Sequence, residues 1–217
     1  MILRQRSMFA VLISIVLFLL SGLPVSQAQS PATLTKGSAH PDVWDLQFRL
    51  RTLGYYTQLL DGKYGTQTDT AVKQFQSDYG LASDGIVGEQ TWRQLKRFSV
   101  NQKELDVLAK VIYGEARGEP FIGQVAVGAV VMNRLQSDSF PNTISDVVFQ
   151  PGAFTAVDDG QYGMIPDRTA YLAALEAVKG WDPTKDALYY FNPATATSKW
   201  IWSRTPTITI GRHIFAI

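Results

Sequence analysis

The sequence predicts an α+β protein in which a small three-helix module precedes a domain with a helical core and a C-terminal antiparallel sheet. Residues 37–97 contain amphipathic stripes separated by a repeated turn motif, which indicates short helices. Residues 104–217 begin with apolar patterns of helical spacing. They end in short segments rich in aromatic and β-branched residues, which favour strands.

The first 29 residues have the pattern of a secretory signal peptide. Arg4 and Arg6 precede an apolar stretch over residues 8–20, and Ser-Gln-Ala at residues 26–28 is a small-x-small cleavage site. About 13 apolar residues rise roughly 20 Å in a helix, less than the ~30 Å hydrocarbon core of a membrane. We therefore expect an exported chain, cleaved after Ala28, with no stable membrane span after cleavage.

A repeated motif organises the first module, which follows a short polar linker at residues 29–36. The pattern D-G-x-x-G-x-x-T occurs at residues 61–68 and again at 84–91. Its aspartate and glycines predict a turn, and each turn leads into a helix. A further helix before the first turn ends at Gly54. The helical apolar positions are Val43, Leu46, Leu50 and Leu53, then Val72, Phe75 and Tyr79, then Trp92 and Leu95.

The segments PDVWDLQFRLRTLGYY, DGKYGTQTDTAVKQFQ and DGIVGEQTW resemble the common peptidoglycan-binding module of bacterial wall hydrolases. The resemblance spans the module and implies peptidoglycan as its binding partner. The turn aspartates and glycines are interpreted as structural. Tyr55, Tyr56 and Tyr64 are candidates for contacts with sugar or peptide, and core packing is the alternative for each of them.

A polar break at residues 97–103 separates this module from the second domain, residues 104–217. Leu105, Leu108 and Ile112 lie on one face of its first predicted helix. Residues 124–135 are nearly all apolar, which predicts a helix at the centre of the domain. A third helix covers residues 171–178 and ends before Gly180. The predicted strands are residues 187–191, 207–210 and 213–217.

Glu115 is the candidate catalytic acid. Gly114, Gly118 and Pro120 predict that the preceding helix ends here, where a carboxylate faces the negative end of the helix dipole. Partial burial beside neighbouring aromatic residues would add desolvation. Both effects raise the pKa of a glutamate, as a general acid at neutral pH requires. The pattern alone leaves open a surface carboxylate paired with Arg117.

Glu119 lies four residues further along the chain. In a continuous helix the two carboxylates would share a face at ~6 Å, close to the ~5–5.5 Å separation of retaining glycosidases. The glycines and Pro120 argue against a continuous helix. We therefore expect Glu119 to cap the next helix, which starts near residues 122–124, or to line the substrate groove.

Aromatic residues and an amide suited to a sugar-binding groove cluster in the second domain. A strand at residues 189–193 would point alternate side chains to opposite faces, and Trp200 and Trp202 follow with the same period of two. Aromatic faces stack on sugars and an amide bonds to hydroxyl or N-acetyl groups, although about half of these residues should form the sheet core. The candidate substrate-binding residues are Glu119, Phe154, Thr155, Tyr189, Tyr190, Phe191, Asn192 and Trp200.

Composition excludes several classes of function. The formal net charge of +1 gives no electrostatic basis for binding nucleic acid. The chain has no cysteine, which excludes a cysteine nucleophile, a lipoprotein anchor and a thiolate metal site. Its two histidines are His40 and His213, whereas a zinc amidase or peptidase usually uses two or three histidines with a carboxylate. We expect no metal and no cofactor.

Four long segments of residues 104–217 resemble the catalytic domain of the spore cortex-lytic enzymes of the SleB type. They are YGEARGEPFIGQVAVGAVVMNR, FPNTISDVVFQPGAFTAV, ALYYFNPATATSKWIW and IGRHIF. The resemblance implies a lysozyme/transglycosylase-like domain that degrades muramic-δ-lactam-containing cortex peptidoglycan during germination. It places the enzyme in the cortex, at the outer face of the forespore inner membrane, and makes Glu115 the catalytic residue. Some relatives have a cysteine near the C-terminus, and its absence here affects no catalytic residue.

The resemblance further implies a lytic transglycosylase, in which Glu115 alone acts as acid and base and leaves 1,6-anhydromuramic ends. The alternatives are a muramidase or glucosaminidase that uses Glu119, Asp158 or Asp159 as base or nucleophile, a non-catalytic wall-binding protein, and an amidase. The histidine count disfavours the amidase. An inhibitory partner protein would keep such an enzyme silent in the dormant spore, but no motif identifies one.

Overall fold

The computed structural model describes residues 31–217, which form one compact unit. The expected signal peptide, residues 1–29, lies outside the described residues. Within residues 31–217, no helix has both the length and the apolar character needed to cross a membrane.

Three helices form the first module, as the apolar spacing predicts. They are α1 (Asp42–Thr52), α2 (Thr66–Asp78) and α3 (Glu89–Phe98). Their inward faces bury one core that includes Phe75 and Trp92. Leu34, in the segment expected to be a linker, is 1 % exposed and pairs with Val87 across an isolated β-bridge. The module therefore begins several residues earlier than the sequence pattern indicated.

A buried glutamine holds each repeated turn. Gln47 Nε2 donates to the Asp61 carboxylate at 2.8 Å, and its Oε1 accepts from the Gly62 N–H at 3.0 Å. Gln76 makes the same pair of bonds in the second turn, at 3.0 and 2.9 Å. Gly62 has φ of +69°, a left-handed conformation that glycine adopts without steric cost. The repeated residues therefore shape the backbone, in agreement with the structural interpretation of the motif.

The three candidate tyrosines of the first module differ in position. Tyr56 and Tyr64 are 5 % and 2 % exposed and belong to the module core, so core packing is the correct alternative for both. Tyr55 is half-buried at the edge of that core, and its hydroxyl donates to Asp78 at 2.9 Å.

The second domain combines helices with a small sheet, as predicted. The helices are α4 (Gln102–Ala116), α5 (Phe121–Gln136), α6 (Ile144–Val148), α7 (Thr155–Asp158), α8 (Arg168–Val178) and α9 (Lys199–Trp202). The strands are β1 (Tyr189–Phe191), β2 (Pro206–Ile210) and β3 (His213–Ala216). They form an antiparallel sheet in the order β1-β3-β2. The nearly all-apolar α5 is buried along most of its length and packs against α4 and α8, which confirms its central place.

Trp200 and Trp202 do not continue the strand pattern. They lie on α9, a single helical turn, and both are about half exposed. Pro193 follows β1, and a proline cannot extend a hydrogen-bonded ladder because it has no N–H. Over four residues, a period of two does not distinguish a strand from one turn of helix.

The polar break between the modules is part of a buried interface. Phe48 of α1 packs in the core of the second domain, and Val100 in the break is fully buried. Arg49, 1 % exposed, donates to the Ser99 carbonyl at 3.0 Å and to the Glu104 carboxylate at 2.8 Å. Residues 97–103 therefore join the modules by packed contacts, although their polarity predicted a break that separates them.

Candidate active site

Two adjoining cavities meet at Glu115. The first, here called the aromatic cavity, has a volume of about 650 Å³, and its lining includes Glu115, Arg134, Phe140, Phe154, Tyr189 and Trp200. The second, the polar cavity, has a volume of about 450 Å³, and its lining includes Glu115, Thr155, Asn192, Thr195, Ser198 and His213. Glu115 is the one carboxylate that lines either cavity among the described residues. An extended ligand lying through both cavities would therefore pass the Glu115 carboxylate.

Glu115 lies in the last turn of α4, where the glycine pattern predicted the helix to end. Its Oε1 accepts a hydrogen bond from the Ala156 N–H at 2.6 Å, and its Oε2 accepts one from the Tyr190 hydroxyl at 2.9 Å. A Cβ at Gly114 would lie 2.5 Å from the Ala156 side chain, so glycine is needed there for α4 to approach α7 closely. The local sequence thus allows the backbone contact that orients the carboxylate.

The environment of Glu115 favours its protonated form. Burial raises the pKa of Glu115 above its usual value, and the negative charges of Asp158 and Asp159 add to the rise, while its two hydrogen bonds oppose it. Burial also raises the pKa of the Tyr190 hydroxyl well above its usual value, and the charge of Glu115 raises it further. Tyr190 therefore stays a hydrogen-bond donor to Glu115 at neutral pH.

The structure brings seven of the eight candidate substrate-binding residues to these cavities. Phe154, Tyr189 and Trp200 line the aromatic cavity, Phe191 and Asn192 line the polar cavity, and Thr155 and Tyr190 line both. The indole of Trp200 meets the ring of Tyr189 edge-on at 5.1 Å. Phe154 and Phe191 are at most 8 % exposed, so each is also a core residue.

Glu119 is the exception, because its carboxylate lines neither cavity. It accepts hydrogen bonds from Arg212 Nε at 2.6 Å and from the Arg212 N–H at 3.1 Å. Burial alone would raise the pKa of Glu119, but the hydrogen bonds and charge of Arg212 hold it below its usual value. The prediction that Glu119 caps the next helix is wrong, since Pro120 is the N-cap of α5 and no side chain caps that helix. Glu119 instead ties the β2–β3 turn to the start of α5.

Among the cavity-lining residues that sequence reasoning missed, Arg134 and His213 carry ionisable groups. Arg134 lines the aromatic cavity, and its one signal in the sequence is a charge near the end of an otherwise apolar helix. His213 lines the polar cavity with its ring 5.2 Å from that of Tyr190, and burial lowers the pKa of its imidazole. Within residues 31–217, no group of histidine, cysteine, aspartate and glutamate side chains is arranged to hold a metal ion.

Two family models match the chain. The model described as Cell Wall Hydrolase matches residues 118–216, and that of a peptidoglycan binding domain matches residues 39–95. A spore cortex-lytic enzyme of Bacillus cereus is 40 % identical over 257 aligned positions, covering 98 % of this chain and 99 % of that protein.

Two solved structures resemble the second domain. The crystal structure of the catalytic domain of Bacillus cereus SleB is 57 % identical, with a TM-score of 0.53, and the match covers 55 % of this chain and 93 % of that one. The catalytic domain of the germination-specific lytic transglycosylase SleB of Bacillus anthracis is 58 % identical. Its TM-score is 0.52, and the match covers 54 % of this chain and 97 % of that one.

Proposed function

The chain belongs to the family of spore cortex-lytic enzymes, and we propose that it cleaves cortex glycan strands as a lytic transglycosylase with Glu115 as acid and base. The observation that supports this mechanism most directly is a single partly buried carboxylate, with a raised pKa, at the junction of two cavities. A transglycosylase requires one such group, whereas an inverting or retaining hydrolase requires two.

In the first step, protonated Glu115 gives its proton to the glycosidic oxygen between a muramic residue and the next sugar. The C1–O bond of the muramic residue breaks with oxocarbenium-like charge on its ring. Glu115 is now a carboxylate, and the N–H of Ala156 and the hydroxyl of Tyr190 stabilise its charge.

In the second step, the Glu115 carboxylate takes the proton of the muramic 6-hydroxyl, and the 6-oxygen bonds to C1. A 1,6-anhydro ring closes, no water is consumed, and Glu115 regains its proton. The rival carboxylates are poorly placed for this chemistry or for hydrolysis. Asp158 and Asp159 line neither cavity, and Asp159 accepts hydrogen bonds from Gln161.

We assign wall binding to residues 37–97 and cleavage to residues 104–217, with residues 1–29 directing export towards the spore cortex. The match of residues 39–95 to a peptidoglycan binding domain supports the first assignment, and the position of Glu115 supports the second. This division makes peptidoglycan the partner of both modules.

Mass spectrometry of fragments released from purified cortex tests the mechanism. We expect anhydromuramic ends, each lighter by one water than the product of hydrolysis. Reducing muramic acid ends would show hydrolysis instead, and a second carboxylate would then have to reach the site.

A further inference from the structure

Arg134 is a buried cation in the wall of the aromatic cavity. Only 6 % of the residue is exposed, and its Nε donates to the Leu188 carbonyl at 2.8 Å. Its guanidinium lies between three aromatic rings, with centroids at 5.0 Å for Phe154, 5.2 Å for Phe140 and 5.7 Å for Tyr189. These contacts hold the guanidinium in the wall of the cavity.

The terminal nitrogens of Arg134 have no partner in the described part of the chain. Within residues 31–217, no carboxylate lies within ion-pairing distance of Arg134, and its one side-chain hydrogen bond is the one from Nε. Neither terminal nitrogen is fully buried. Since Arg134 lines the aromatic cavity together with Glu115, these nitrogens face the open cavity.

A buried charge without a counter-ion is costly, and aromatic faces offset only part of that cost. A guanidinium has donors and no acceptor, and its planar fork matches two acceptor positions. The glycan offers strong acceptors in its acyl groups. We propose that Arg134 binds an acyl oxygen of the glycan, either an acetamido carbonyl or a lactyl carboxylate, and so holds the strand beside Glu115. This inference rests on the proposed function and adds a binding residue to its site.

Arg134 makes no ion pair with the catalytic carboxylate, although the negative charge of Glu115 opposes the lowering of the Arg134 pKa by burial. Both oxygens of Glu115 already accept hydrogen bonds, one from the Ala156 N–H and one from the Tyr190 hydroxyl. The distances between Arg134 and Glu115 also exceed ion-pair range. Loss of Arg134 should therefore weaken binding even where Glu115 has been replaced.

Binding is measured in a Glu115→Gln background, so that the ligand stays intact. The two probes are chitohexaose, which has acetamido groups alone, and peptide-stripped glycan strands, which add lactyl carboxylates. Arg134→Met keeps the apolar stem and removes the charge, and Arg134→Lys keeps the charge without the fork. Arg168→Met is the matched control, since Arg168 is exposed and lines neither cavity.

We expect Arg134→Met to weaken strand binding about 10- to 100-fold, as is typical for loss of a hydrogen bond to a charged group. The affinity of Arg134→Lys for the strands should lie between those of the parent and of Arg134→Met. The affinity of Arg168→Met should equal that of the parent. The midpoint of thermal unfolding should change little in Arg134→Met, because removal of a buried charge offsets the loss of the bond to the Leu188 carbonyl. If Arg134→Met does not fold, weakened binding by folded Arg134→Lys decides the question.

An equal loss of affinity for chitohexaose would identify the acetamido carbonyl, and a loss for the strands alone would identify the carboxylate. If chitohexaose does not bind the parent, the strands alone decide. Unchanged affinity for the strands in both variants overturns the proposal. Failure of the proposed function would be visible separately, as wild-type protein that releases no anhydromuramic fragments from cortex.

Discussion

Gln76 in the wall-binding module and Arg134 in the catalytic domain are both buried polar side chains, but only the first is saturated by the protein. The Gln76 amide donates to an aspartate, a carbonyl and a threonine of its turn, and accepts from a backbone N–H. Arg134 makes one hydrogen bond within the described residues and faces an open cavity. A saturated buried group stabilises the fold, whereas one with free donors has capacity left for a ligand.

Glu115 lies between these two extremes. Two donors orient its carboxylate, yet burial and nearby negative charge favour its protonated form. The two modules therefore differ in the role of these buried polar groups: Gln76 stabilises its turn, whereas Glu115 and Arg134 keep capacity for a ligand or a proton. Replacing Glu115 should lower cleavage at constant stability, and replacing Gln47 or Gln76 should lower stability at constant cleavage.

The largest effect on cleavage is expected for Glu115→Gln. Glutamine keeps the size of the side chain but cannot transfer the proton, and general acid–base help is typically worth about 10²- to 10⁴-fold. Because one residue performs both proton transfers, we expect the rate of fragment release from cortex to fall by about 10²- to 10⁴-fold or more. Thermal unfolding and wall binding should be unchanged.

Glu119→Gln is the matched comparison, since it removes a carboxylate that pairs with Arg212 outside both cavities. Its cleavage rate should fall less than that of Glu115→Gln. If Glu119→Gln abolished cleavage while Glu115→Gln remained active, the assignment of the acid would be wrong.

Tyr190→Phe should have an intermediate effect. The variant keeps the ring contacts with Phe215 and His213 but loses the hydrogen bond to the Glu115 carboxylate. That bond stabilises the charged form, so its loss should raise the pKa of Glu115 further. Cleavage that needs the protonated acid would then persist to higher pH, and the rate should fall roughly 10-fold because the carboxylate formed in the first step is less stable.

The pH dependence of cleavage of soluble glycan strands measures this shift. Tyr189→Phe is the comparison, since no hydrogen bond joins Tyr189 to Glu115 and the alkaline limb should not move. If the alkaline limb moved to lower pH in Tyr190→Phe, the inference that the Tyr190 hydrogen bond stabilises the charged form of Glu115 would be wrong.

Local patterns allowed much of this architecture to be predicted. The turn glycines, the apolar helix α5 and the end of α4 at Glu115 all depend on neighbours in the sequence. The partners of those features come from distant positions. Tyr190 reaches Glu115 from 75 residues away, and Arg212 reaches Glu119 from 93 residues away, so sequence spacing could not reveal either contact.

Arg134 is a different case, because its signal was present in the sequence. A charge within a largely apolar, buried helix is expensive to bury without a ligand or partner, so its position in the sequence already indicated a special role. Trp200 lines the aromatic cavity, but it lies on a helical turn and not on the strand that the spacing of two predicted. Its position depends on where β1 ends, which the proline determines and the aromatic spacing does not.

The smallest effect on cleavage is expected for Gln47→Leu and Gln76→Leu, the other side of the comparison. Each leucine leaves buried donors and acceptors of a turn without a partner, and each such loss typically costs about 1–3 kcal/mol. Gln47 also donates to the Tyr56 hydroxyl and accepts from a second backbone N–H, that of Asp61, so its replacement should destabilise more than that of Gln76. Both variants should unfold at lower temperature but cut soluble glycan strands at 25 °C at the wild-type rate, since neither turn lines a catalytic cavity.

Gln90→Leu, at an exposed glutamine of the same module, should change neither property. If Gln76→Leu stopped cleavage without lowering the unfolding temperature, saturation of a buried group would no longer separate structural residues from functional ones in this protein.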